Sequence, residues 1–175
     1  RNPLKKIIVL TLDKNTSSQK RISTMGLFGR LLKKCPSQVL RHNLFDLYAS
    51  LKVEKCDIFH SWSGQALFSI RKVRRLNANV ATFIERASAH ILKQERLIKE
   101  EYNKYGLRMS PTEPMVVNKC LAEFREADYI CVPSTFAYRS FLEYGFDREK
   151  IILLPYAVDL EQFVPGKKKD ETFRV

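Results

Sequence analysis

What this chain lacks narrows it first. Its four cysteines, Cys35, Cys56, Cys120 and Cys131, form no C-x-x-C pair, and Cys56 and Cys131 lie in or beside apolar stretches. That pattern reads as buried reduced thiols rather than a metal site or a disulfide framework. No G-x-G-x-x-G follows any strand candidate, which weighs against a nucleotide-binding oxidoreductase. The three histidines are too scattered to compose a metal centre. No apolar run approaches the length of a bilayer span, no signal peptide is legible, and no internal repeat or low-complexity segment occurs. The expectation is a soluble, cytoplasmic protein, unless a missing N-terminus carried a targeting segment. At 175 residues the chain suits one domain with a real core. It starts at Arg1 and stops at Phe173-Arg174-Val175, where a new strand is expected to start, so it is expected to be a fragment.

What the chain has in excess is positive charge. Thirty-one lysines and arginines against nineteen acidic residues leave a formal net charge of +12. Nucleic acid, an anionic membrane surface and phosphate-bearing substrates are the functional readings; the plain alternative is basic residues that solvate helix faces. No nucleic-acid motif is visible and the basic residues are spread over several helices, so no nucleic-acid partner is expected.

Hydrophobic periodicity predicts alternating strands and helices. Lys5–Leu12 is a strand candidate followed by a polar loop holding Thr16, Ser17 and Ser18. Met25–Lys34 is a basic amphipathic helix stopped by Pro36, either a surface helix with Leu27, Leu31 and Leu32 inward or a membrane-lying one. Val39–Val53 is a helix with Leu40, Leu44, Leu47, Tyr48 and Leu51 on one stripe. Asp57–Trp62 is a short strand. Ligands of open α/β sheets sit beyond the carboxyl ends of strands, which makes His60 and Trp62 candidates for a cleft wall; a structural histidine is the other reading of His60. Ser63-Gly64-Gln65 opens a helix to Arg75 whose free amides could hold an anion.

A strand over Asn79–Glu85 and a helix over Ser88–Tyr105 follow. Helical spacing puts His90, Gln94, Leu97 and Glu101 on one face, so His90 and Gln94 are expected to project together. For Glu85 the alternative to a site role is an ion pair with Arg86 or another basic neighbour. Glu100 and Glu101 are expected to be solvated or to pair with Lys104. After a proline-containing loop, Met115–Glu126 is a helix with Val116, Cys120 and Phe124 inward.

The stretch from Ala127 to Pro165 carries the strongest signal. Tyr129–Val132 and Ile151–Leu154 have the length and branched content of buried parallel strands. Between them Ser134 stands where an N-cap belongs, Phe136, Ser140, Phe141 and Tyr144 keep helical spacing, and Gly145 is placed to end the helix. This is one βαβ unit.

These residues resemble the retaining glycosyltransferases of family 4. Asp128, Ser134, Gly145, Lys150, Ile151, Pro155, Val158, Asp159, Phe163 and Pro165 match the end of that family's N-terminal domain in order. Asp57 and His60 look like its D-x-x-H motif. Glu85, Arg86, Ser88, His90, Gln94, Glu100, Glu101 and Tyr102 resemble a branch with E-R-x-S-x-H-x-x-x-Q and E-E-Y. Ala157 departs from the glycine usual in the family; a turn there with positive φ would be strained.

The resemblance implies an α/β fold, a Rossmann-like parallel sheet with flanking helices, forming the N-terminal half of a two-domain GT-B architecture. Residues 1–165 would be the acceptor-side domain, short of its first strand and supplying the acceptor-side wall of the cleft, and 166–175 a linker and the start of a donor-binding domain. It implies a nucleotide-sugar donor, a sugar or lipid-linked acceptor as in cell-envelope polysaccharide biosynthesis, no cofactor and no metal. An anionic membrane surface at the inner face of the membrane is a further partner under this reading. His90 is the candidate catalytic residue, with Glu85, Ser88, Gln94, His60, Trp62 and Ser134 binding substrate. The fragment alone is expected to be inactive. A non-catalytic carbohydrate- or anionic-lipid-binding α/β module is the alternative.

Overall fold

The structure, a computed structural model, describes Val9–Leu10, Arg21–Ile22 and residues 37–161. The helix expected over Met25–Lys34, the Thr16–Ser18 loop, Cys35, Phe163, Pro165, the linker and most of the first strand lie outside the described residues. Two short strands, β1 (Val9–Leu10) and β2 (Arg21–Ile22), pair in parallel. The main body runs α1 (Gln38–Lys52), β3 (Ile58–Trp62), α2 (Leu67–Leu76), β4 (Ala81–Glu85), α3 (Ile91–Lys104), α4 (Pro114–Glu126), β5 (Tyr129–Val132), α5 (Thr135–Glu143) and β6 (Ile151–Leu153). Strands β3-β4-β5-β6 lie in that order in a parallel sheet. The fold is therefore α/β and Rossmann-like, with helices flanking a parallel sheet. No helix among the described residues is long and apolar enough to cross a membrane.

Local chemistry explains the boundaries. The Ser37 hydroxyl accepts from the Leu40 N–H at 3.3 Å and caps α1, and the Ser134 hydroxyl accepts from the Ala137 N–H at 3.2 Å and caps α5. Pro114 opens α4, where its missing N–H costs nothing. Gly145 follows α5 with φ of 82°, a conformation that favours glycine. Ala157 needs no such freedom, because no non-glycine among the described residues has positive φ. The strain foreseen at that position is absent.

Register sorts the sheet into two faces. Ile84, Ile130 and Ile151 lie side by side across β4, β5 and β6 and are buried against Ile70, Phe124 and Phe141. Each such side chain contributes about 1.5–3 kcal/mol on leaving water. The opposite face carries Ile58, His60 and Trp62 from β3 beside Phe83, Glu85 and Tyr129, and it is the more open one. There Phe83 and Tyr129 stack at 4.9 Å.

At the amino ends of β4 and β5, Asp128 accepts from Thr82 N (2.8 Å), Thr82 Oγ1 (2.7 Å) and Arg74 Nη2 (2.7 Å). These bonds hold its carboxyl below the usual range against a burial that pushes it up. Asp128 is thus a strand clasp, far along the sheet from Glu85. A shallow groove lined by Arg74, Glu126, Asp128 and Lys150 opens at this same end.

Two helices differ from expectation. In α1 the leucine stripe is not the buried one: Leu40, Leu47 and Leu51 are exposed, and Val39, Asp46, Ala49 and Ser50 are inward. The cause is Asp46, whose carboxylate reaches the start of α2. In α3 the helix begins at Ile91 with His90 as its N-cap. His90 and Gln94 do not project together, because the His90 ring turns into the core. Glu101 pairs with Lys104 at 2.7 Å, whereas Glu100 pairs with Arg96 at 3.6 Å.

Candidate functional site

The carboxyl ends of β3 and β4 bring two of the sequence candidates into contact. His60 Nε2 lies 3.3 Å from Glu85 Oε2. Their strands are adjacent and in register, with Trp62 opposite Glu85, so the three side chains share one face. Trp62 is half exposed. Beyond β6 the exposed Tyr156 phenol comes near Glu85, and slight desolvation together with that carboxylate raises the phenol's pKa. Glu85 therefore sits between an imidazole and a phenol, with an indole beside it.

The Glu85–Arg86 ion pair left open by the sequence does not form. Arg86 turns away and donates from Nη1 to Ser63 Oγ (3.2 Å), from Nη2 to Gln94 Oε1 (2.6 Å) and from Nε to the Ala89 carbonyl (3.2 Å). Burial draws this guanidinium below its ordinary range, opposed by Cys120 and by Glu123. Ser88 Oγ also donates to Gln94 Oε1, at 2.9 Å. Ser88 and Gln94 are thereby joined to Arg86 rather than to Glu85. Ser134 stands at the end of β5, where its hydroxyl caps α5.

His90 is 1% exposed. Its ring stacks on Tyr144 at 4.3 Å and touches Phe124, Phe141 and Phe146, and neither ring nitrogen finds a hydrogen-bond partner among the described residues. Its backbone N–H donates to Ser140 Oγ at 2.8 Å. Burial, with the Arg86 charge adding to it, lowers the imidazole to about 4. It is a neutral ring in an aromatic box, behind the wall formed by Glu85 and Trp62.

The amides before and within the first turn of α2, which the sequence offered as an anion site, are already occupied. Glu123 on α4 accepts from the Gly64 N–H and, at 2.8 Å, from the Ala66 N–H. Asp46 on α1 accepts from the Phe68 N–H (2.9 Å) and the Ser69 N–H (3.0 Å). The buried Asp46 is neutralised by Lys119 Nζ at 2.8 Å. Two protein carboxylates therefore take the place of an external anion, which corrects that expectation. Burial raises Glu123 to about 6, partly offset by its two N–H donors and Lys119. Cys120, whose thiol is pushed up to about 11 by burial, and Cys131 are buried and free, and Cys56 is free and half-buried. Among the described residues no three histidine, cysteine or acidic side chains gather as a metal site would require.

Tyr156, Glu123 and Asp46 are contributors that the sequence reading missed, and Arg86 entered it only as a motif match and a possible partner of Glu85. A signal existed for Glu123: it lies seven residues after Val116 and three after Cys120, on the stripe already assigned inward. None existed for Tyr156, which reaches Glu85 only because the sheet is assembled.

Fold and site together define a Rossmann-like domain with a polar and aromatic cluster at its strand ends, the usual place for a ligand in such sheets. The family model for Glycosyltransferase Family 4 matches residues 6–162. The chain belongs to glycosyltransferase family 4, and its sheet is consistent with the N-terminal half of a GT-B fold. No curated protein and no solved structure matches it.

Proposed function

We propose that this chain forms the acceptor-side wall of the cleft in a retaining glycosyltransferase that moves a sugar from a nucleotide-sugar to a sugar or lipid-linked acceptor. The observation that carries the reading is the Glu85 cluster, with His60 at 3.3 Å, the Tyr156 hydroxyl and the half-exposed Trp62. An ionised carboxylate flanked by donors accepts hydrogen bonds from sugar hydroxyls. An indole face offers an apolar platform to a pyranose ring. His60, at 3.3 Å, steadies Glu85, and the imidazole and the nearby Tyr156 phenol present polar groups of their own.

Residues 1–165 serve as this domain and 166–175 lead to a donor-binding domain. Stabilisation of the departing diphosphate, the large electrostatic contribution in such a transfer, falls to basic groups of that second domain. This chain alone is accordingly inactive, and transfer by the whole protein survives chelation of divalent metal. Peripheral contact with an anionic membrane surface at the cytoplasmic face belongs to the same reading.

His90 contributes from behind the wall, because a ring enclosed by four aromatic side chains meets substrate only if that enclosure opens. Ser88 and Gln94 serve through Arg86, and Ser134 through the start of α5. The test is Glu85→Gln in the whole protein, assayed with a panel of nucleotide-sugars. Loss of one charged contact to substrate is expected to lower kcat/KM by about 10–100-fold. Unchanged turnover would remove Glu85 from the site and the reading with it.

A further inference from the structure

One cation lies between the two loops that leave the proposed contact residues. Trp62 ends β3 and Glu85 ends β4, and each is followed by a short connection into a helix. The first connection is held at four points, the Ser63 amide and hydroxyl and the Gly64 and Ala66 amides. Ser63 N donates to the Glu85 carbonyl at 3.0 Å, Ser63 Oγ accepts from Arg86, and Gly64 N and Ala66 N both donate to Glu123. Gly64 has φ of 87°, a left-handed turn that lets two amides of one short loop converge on one carboxylate. The second connection is held by the same guanidinium, through the Ala89 carbonyl and Gln94 on α3. Arg86 N also donates to the Cys131 carbonyl at 2.9 Å, tying the end of β4 to β5.

We propose that Arg86 and Glu123 are positioning residues that set Trp62 and Glu85 relative to one another by locking the 63–66 and 86–90 connections together. This rests on the assignment of Trp62 and Glu85 to the sugar-binding wall. The residue types suit the task. Among the described residues every hydrogen-bond partner of the Arg86 side chain is a neutral oxygen, and the three come from three separate segments. Only a planar fork of N–H groups spans them; an ammonium reaches one or two. Glu123 is fully buried and spends both oxygens on the 63–66 backbone, so it locates that loop from the opposite side. A hydrophobic replacement at either position keeps the layer packed but removes the geometric lock.

The experiment uses the protein labelled with 5-fluorotryptophan, with the Trp62 fluorine resonance assigned by its disappearance in Trp62→Phe. Arg86→Gln, Arg86→Lys, Ser63→Ala and Glu123→Gln are compared well below their unfolding temperatures, with circular dichroism confirming that each is folded. The expected result is a shifted or broadened Trp62 resonance in Arg86→Gln and Glu123→Gln, partly restored in Arg86→Lys and smaller in Ser63→Ala. Arg71→Gln, which breaks the exposed Arg71–Glu126 pair at 2.6 Å, leaves the resonance in place. A wild-type Trp62 signal in every folded variant overturns the proposal and leaves Arg86 and Glu123 as ordinary stabilising residues. Transfer assays on the whole protein supply the second arm. Misplacing the wall lowers kcat/KM on the order of 10–100-fold, mainly through KM. A moved resonance in a protein with no transfer activity upholds the lock and sinks the sugar assignment; an unmoved resonance with Glu85-dependent transfer does the reverse.

Discussion

Acidification should expose His90 more clearly than any other group. Its imidazole has an ordinary pKa of 6.5 and is lowered to about 4 in the folded chain, first by burial and then by Arg86. A lowered pKa means that the unfolded chain binds the proton more readily, so stability is complete above pH 6.5 and falls as pH drops through 4. At ~1.4 kcal/mol per pKa unit the His90 contribution lost across that window is about 3 kcal/mol. Glu123 works in the opposite sense. Its carboxyl is raised from 4.5 to about 6, so its ionisation costs about 2 kcal/mol above pH 6, a cost relieved as pH falls towards 4.5. The wild type therefore shows only the difference, and a variant is needed to isolate the histidine. His90→Phe keeps an aromatic ring beside Tyr144, Phe124, Phe141 and Phe146 and deletes two nitrogens that have no partner. Urea unfolding of both proteins at intervals from pH 7.5 to 4 is the assay. The two stabilities should lie within about 1–2 kcal/mol at neutral pH, where lost polarity and added volume offset. They should diverge towards low pH, in favour of the variant, by about 3 kcal/mol. Parallel curves would refute the reasoning, since they would mean that His90 is as easily protonated in the folded chain as in the unfolded one.

Further outcomes follow from the buried carboxylates and the caps. Asp46→Ala removes the acceptor for Phe68 N and Ser69 N and strands the Lys119 ammonium, so chemical denaturation should show a loss of about 3–5 kcal/mol. Ser134→Ala should cost only ~1 kcal/mol, read as a small drop in Tm, because one capping bond at the start of α5 is lost. Gly64→Ala should lose about 1–2 kcal/mol from backbone strain alone, since an added Cβ meets nothing nearer than 3.8 Å; a neutral effect in thermal unfolding would show that the turn can relax. In the whole protein, sugar transfer should persist in EDTA, and its abolition with recovery on adding magnesium would contradict a transfer that needs no metal.

The βαβ unit was legible because its signals are local. The strand Tyr129–Val132, the Ser134 cap and Gly145 all appear where their chemistry predicts, since capping and left-handed termination depend on a few consecutive residues. Helix α1 was misread in orientation for a reason equally physical. Its leucines outnumber its inward polar groups, but two amides of α2 need an acceptor, and Asp46 supplies it. Helical spacing placed His90 and Gln94 on one face, yet the helix starts one residue after His90 and the N-cap backbone is not helical, with ψ of 138°.

By itself, then, the sequence determined the alternation of strands and helices, the family to which the chain belongs and the placing of Trp62 and Glu85 at strand ends, whereas His60, expected at the strand's exit, lies mid-strand. Period-2 and period-3.6 patterns, caps and ordered motifs suffice for that much. Tertiary structure alone decided which side chains meet. It paired Glu85 with His60 instead of Arg86, turned the amides of the 63–66 loop and α2 towards Glu123 and Asp46, and closed His90 inside aromatic rings. Contacts between residues 23 to 76 positions apart, such as His60 with Glu85 and Ser69 with Asp46 on one scale and Lys119 with Asn43 on the other, depend on register and helix rotation. Those are set by packing the whole sheet, and no local spacing encodes them.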